Sequence, residues 1–179
     1  MLWLFLLHRP GVRAIGVPRR FGTELVAGVV GGLALYVVGV FFVGTIVASI
    51  LRTVSEHPVH APRQLPIHLT GGLIALAAVT VLIAAPVAEE LFFRGFLFRA
   101  LRARNSFVFA GVISALAFGL VHYPGGAWQN AVLLPIVMCF VGFGLAYIYE
   151  RRGNIVANMA AHATFNVIGF LFIVFVAAR

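Results

Sequence analysis

What the chain lacks narrows its reading first. It contains no lysine and no aspartate, so every fixed positive charge is an arginine and all five acidic side chains are glutamates. Cysteine occurs once, at Cys139 within an apolar run, which excludes an intramolecular disulfide and a cysteine-based zinc cluster. There is no Walker loop, no His-Glu-x-x-His pair and no Gly-x-Ser-x-Gly elbow. No polar linker and no internal repeat divides the chain, so residues 1–179 read as one domain. Charge of either sign is scarce: 10% of residues are charged and 62% hydrophobic, where a soluble domain is about a quarter charged and about half apolar. That balance predicts an all-α, polytopic integral membrane protein. A net charge of +8 would point to nucleic acid in a soluble protein. Here the arginines sit in short clusters between apolar runs, where they set topology, and no nucleic-acid partner is expected.

A spanning helix needs about 20 apolar residues. Residues 25 to 51 supply one. Residues 52 to 68 hold three prolines together with His57, His60 and His68, and read as a solvated loop. The segment from 69 to about 98 is too long for one straight span at ~1.5 Å per residue. Pro86 is expected to break or kink it, giving a span to Ala85 and a second helix carrying Glu89, Glu90 and Arg94. A turn follows in "RALRARNS", then a helix over 107–122, a loop at "YPGGAW", a span over 128–149, a turn at "ERRGN" and a last span over 155–178. The count is about five to six membrane helices, one of them bent. The opening "MLWLFLL" is too short to span and lacks a small-residue cleavage site, so it reads as an interfacial anchor, or as what remains of a longer N-terminus, rather than a signal peptide.

Arginine placement orients the bundle. Arg9, Arg13, Arg19, Arg20, Arg99, Arg102, Arg104, Arg151 and Arg152 fall on one side of the five-span scheme. Arg52, Arg63 and Arg179 fall on the other. The positive-inside rule then puts the N-terminus in the cytoplasm.

Ionisable groups inside a membrane segment are functional-site candidates by default. Glu90 and Arg94 are four apart and share a helix face, so they can pair. Glu89 points about 100° away and is left without that partner. One carboxylate therefore reads as structural and its neighbour as available. Phe118 and His122 share a second face, and His162 and Asn166 a third. Taken singly, His122 reads as an interfacial residue, and His162 and Asn166 as interhelical hydrogen-bond glue. Taken together they are more. Glu89 lies about 15 residues before the 103–106 turn and His122 about 17 after it, so a helical hairpin brings them to one depth. The last span can bring His162 and Asn166 towards that layer. A carboxylate can take a proton from water, an imidazole can orient that water or hold a metal, and an amide can donate to an oxyanion.

These residues resemble the motifs of the CAAX prenyl protease type II and bacteriocin-processing (CPBP, or ABI) intramembrane proteases. "EELFFR" at 89–94 is similar to the family's Glu-Glu-x-x-x-Arg, "FGLVH" at 118–122 to its Phe-x-x-x-His, and "HATFN" at 162–166 to its His-x-x-x-Asn or Asp. The resemblance covers about residues 80–175. It implies an endopeptidase acting on a membrane-associated peptide or protein, with Glu89 activating water, His122 and His162 flanking it, Asn166 stabilising the oxyanion, and Glu90, Arg94 and Phe118 in support. It leaves open a metal-free glutamate mechanism or a bound Zn²⁺ held by Glu89, His122 and His162. The chain departs from the eukaryotic members in having fewer spans ahead of the first motif, and in its histidine-rich loop. The expected location is a bacterial inner (plasma) membrane. Two other classes compete: a non-catalytic scaffold or immunity-type protein that binds a partner helix or peptide, and a small transporter using Glu89 as a proton relay. No pair of broken half-helices favours the transporter.

Overall fold

The computed structural model describes Gly16, Pro18 and residues 20–55 and 71–177. The N-terminal apolar stretch, Arg9, Arg13, Arg19, Arg63, Arg179 and the loop histidines His57, His60 and His68 lie outside the described residues. Those described form a bundle of helices with no strand among them: α1 (Phe21–Val54), α2 (Gly72–Arg102), α3 (Phe107–Val121), the short α4 (Trp128–Ala131), α5 (Leu133–Arg152) and α6 (Ile155–Phe172). Helices α1, α2, α5 and α6 are each long and apolar enough to cross a membrane, while α3 is shorter. At 15 residues α3 is about 22 Å long, less than the ~30 Å of a hydrocarbon core.

Local sequence explains the turns. Ser106 caps α3, its hydroxyl accepting from the Phe109 N–H at 3.3 Å. Gly153 ends α5 in the left-handed conformation at φ +64°, where a side chain would be strained. Asn154 caps α6, its Oδ1 accepting from the Ala157 N–H at 3.0 Å. Glu24 at the start of α1 accepts a two-pronged hydrogen bond from Arg152 (2.8 and 2.7 Å) and another from Asn154 (2.9 Å). Arg102 reaches Glu150 at 3.0 Å. These ties hold Arg102 and Arg152 at one end of the bundle, with Arg20 beside Arg152, as the arginine pattern predicts.

The α1–α6 crossing depends on small residues. A Cβ placed on Gly28 would lie 2.5 Å from the Ala160 methyl, and one on Gly32 would lie 2.7 Å from Thr164 Cβ. The glycines of "GVVGG" are thus spent on contact within the chain, a question that the sequence leaves open. On the other side α5 packs along α3, with Phe118, Val141 and Leu145 fully buried between them.

The expected break at Pro86 takes a milder form. The helical path runs through from Gly72 to Arg102, and Pro86 sits where the register changes. Residues Thr80–Ala84 wind as π-helix, Ala85–Glu90 as α-helix and Leu91–Phe98 as π-helix again. The Ala85 N–H reaches back five residues to Thr80. Pro86 has no N–H to offer, and the wider turn before it absorbs that loss without breaking the helix.

Candidate active site

Helix α2 sends Glu89 and Glu90 in different directions, and the two meet opposite surroundings. Glu90 is fully buried. Its Oε1 accepts from Arg94 Nη1 at 2.8 Å and from His162 Nδ1 at 2.9 Å, and its Oε2 accepts from Asn158 Nδ2 at 3.0 Å. Arg94, equally buried, gives its other amino group to the Gly142 carbonyl at 2.8 Å. Its guanidinium lies 4.7 Å from the centre of the Phe118 ring, a cation–π contact in a dry site. Asn158 also donates to the Leu145 carbonyl at 2.7 Å. One buried network therefore joins α2, α5 and α6.

Glu89 belongs to no such network. Its side chain keeps 28% of its exposure, and its Oε2 is enclosed without a hydrogen-bond partner. Two imidazole nitrogens face that atom: His122 Nε2 at 3.9 Å and His162 Nε2 at 3.9 Å. Both rings are fixed from behind. His122 Nδ1 lies 2.7 Å from the Phe118 carbonyl, which can only accept, so Nδ1 carries the proton. His162 Nδ1 donates to Glu90 by the same logic. In the neutral rings both Nε2 lone pairs are then free and turned towards Glu89. Phe118, with no exposed surface, packs against both rings, at 4.7 Å from His122 and 5.7 Å from His162 between centroids. Its place four residues before His122 is explained by that double contact and by Arg94 on its face.

Two atoms 3.9 Å apart, as Glu89 Oε2 and each Nε2 are, can share one water. A water hydrogen-bonds at about 2.8 Å, so one molecule can touch Glu89 Oε2 and either Nε2 together. A tetrahedral zinc with bonds of about 2.0–2.2 Å sets its ligand atoms about 3.4 Å apart. The two spacings from Glu89 Oε2, 3.9 Å each, are wider by about 0.5 Å. As built, Glu89, His122 and His162 do not fit zinc.

Asn166 is placed differently. Its Nδ2 donates to the Val81 carbonyl at 2.8 Å, which commits one of its two N–H groups to α2. Sequence reasoning also passed over Asn158, Ser114 and Gly142. Asn158 sits four residues before His162 on the same face of an apolar helix, and the rule that marked His162 marks it too. Ser114 is buried and donates to the Phe93 carbonyl at 3.4 Å. The contribution of Gly142 is a backbone carbonyl, which leaves no mark in a sequence.

A family model described as type II CAAX prenyl endopeptidase Rce1-like matches residues 71–168, more than half of the chain and all of this site. The chain belongs to the Rce1-like family. It is 36% identical over 93 residues to the Bacillus subtilis protein named "Putative membrane peptidase YdiL", covering 52% of this chain and 35% of that one. It is 31% identical over 87 residues to the Lactococcus lactis UPF0177 protein YxdF, covering 49% and 44%. It is 25% identical over 174 residues to an Escherichia coli protein named for its 24.3 kDa mass, covering 96% and 75%. The chain thus spans less than half the length of the first two relatives. No solved structure matches it. Membership in a family of membrane proteases accords with an integral membrane protein built of apolar helices.

Proposed function

We propose that this chain is an intramembrane endopeptidase in which Glu89 activates a water against the peptide bond of a membrane-associated substrate. The observation that carries the reading is the enclosed, unpartnered Glu89 Oε2, faced at 3.9 Å by two bare imidazole nitrogens. A carboxylate saturated by hydrogen bonds, as Glu90 is, serves structure. One left open beside two acceptors is placed to hold and deprotonate water.

The steps balance. Glu89 takes a proton from the water, and the oxygen attacks the scissile carbonyl carbon. The carbonyl π electrons move to oxygen, forming a tetrahedral oxyanion. Asn166 stabilises that charge through the N–H it does not give to Val81. Glu89 returns its proton to the amide nitrogen, the C–N bond breaks, and acid and amine products leave. The water's second proton goes to the Nε2 of one of the two imidazoles, His122 or His162, which orient it, while Glu90, Arg94 and Phe118 hold the two rings.

The membrane we assign is a bacterial plasma membrane, with the arginine-bearing end of the bundle in the cytoplasm. Three bacterial relatives and the positive-inside pattern support that assignment.

The test is cleavage of a fluorogenic peptide library by purified protein in detergent, parent beside Glu89→Gln. A general base contributes about 10²–10⁴-fold, so the variant should lose at least 100-fold in kcat/KM while folding as the parent does. Equal rates would contradict the role. A scaffold would bind peptide and cleave none with either protein.

A further inference from the structure

Asn166 bonds to a carbonyl that the helix itself has orphaned. The Ala85 N–H bonds Thr80, five residues back. In that register the next carbonyl, Val81, would be taken by residue 86, and residue 86 is proline. Val81 therefore has an oxygen that neither the α nor the π pattern of α2 satisfies. In lipid an unsatisfied backbone group is costly. The Asn166 amide fills the place at 2.8 Å.

Two further observations give this bond weight. Residues 72–84 have no buried member. The stretch Gly72–Val79 makes no extended contact with another helix among the described residues, and Thr80–Ala84 packs on α6. The half of α2 that leads into Glu89 is thus held loosely, and the Asn166 bond is a polar tie between it and α6. Helix α6 is itself firmly seated on α1 through Gly28 and Gly32.

We propose that Asn166 is a positioning residue: it supplies the N–H that Pro86 lacks, fastens α2 to α6 at Val81, and so fixes the rotation at which α2 presents Glu89 to His122 and His162. The consequence for catalysis rests on the protease reading; the tie itself does not.

The experiment is a double-mutant cycle on the full chain in detergent: parent, Asn166→Ala, Pro86→Ala and the double variant. Alanine in place of Pro86 restores an N–H able to take the Val81 carbonyl. Asn166→Ala should lower Tm by about 3–8 °C in the parent background and by less than half as much in the Pro86→Ala background. Equal shifts in both backgrounds would overturn the tie. Should Pro86→Ala fold poorly, Asn166→Leu decides: it keeps the volume and loses both donors, so its Tm should fall, and an unchanged Tm would overturn the proposal. On the same proteins, the double variant should recover, at unchanged KM, the part of the kcat lost by Asn166→Ala that comes from the displaced Glu89, and leave unrecovered the part that comes from the missing oxyanion donor. Recovered Tm without recovered kcat would refute the positioning of Glu89. A parent that cleaves nothing would refute the protease reading, and the Tm cycle would still decide the tie.

Discussion

The two halves of α2 differ in residues and live in opposite environments. From Gly72 to Ala84 the sequence is apolar all round, yet no residue is buried, and Leu73, Leu76, Val79 and Ile83 face outward. From Ala85 to Arg102 the helix buries Glu90 and Arg94 completely, along with Phe93 and Phe98. In water the apolar half would be the core. In lipid the driving force for burying Leu and Val vanishes, because acyl chains are as apolar as the protein interior. What gathers inward is what lipid cannot satisfy: charges, amides, imidazoles and the small residues that let helices meet.

The sharpest way to break this contrast is to remove a charge from the buried half. Arg94→Leu leaves Glu90 enclosed without its cation, and should cost roughly 3–5 kcal/mol of stability, read as a large fall in Tm or loss of folded yield. Asn158→Ala is the next step down. It strips donors from Glu90 and from the Leu145 carbonyl, so about 1–3 kcal/mol should be lost. Activity should fall through kcat, because Glu90 holds His162. Thermal melts and Michaelis kinetics on that variant check both. The smallest effect belongs to the exposed half: Leu76→Ala should change stability by no more than about 0.5 kcal/mol. A shift of several degrees there would mean that residues 72–84 are covered by another surface.

Much of this arrangement was legible in the sequence. Apolar runs marked the spans, and arginine clusters marked one end of the bundle. The i, i+4 spacing paired Glu90 with Arg94 and left Glu89 out. Helical rise brought Glu89 and His122 to one depth, and the structure brings His162 to the same point. Other features were hidden for physical reasons. Pro86 announced a disturbance, but whether a helix breaks or widens depends on where its freed carbonyls find donors, and Asn166 lies 85 residues from Val81. Gly142 and Leu145 act through backbone oxygens that any residue would carry. Glu24 carries no mark that sets it apart from a surface charge, and its tie to Arg152 and Asn154 is made only when α1 packs on α6. Asn158 could have been found by treating every polar residue in an apolar helix alike.

The central claim is a division of labour between adjacent glutamates, and one measurement tests it directly: cleavage rate and melting temperature of Glu89→Gln and Glu90→Gln, side by side with the parent. The account predicts that Glu89→Gln keeps the parent's Tm and loses cleavage by at least about 100-fold, whereas Glu90→Gln loses stability, because Arg94 then stays buried without a counter-charge. Full cleavage by Glu89→Gln, or an unchanged Tm in Glu90→Gln, would contradict it.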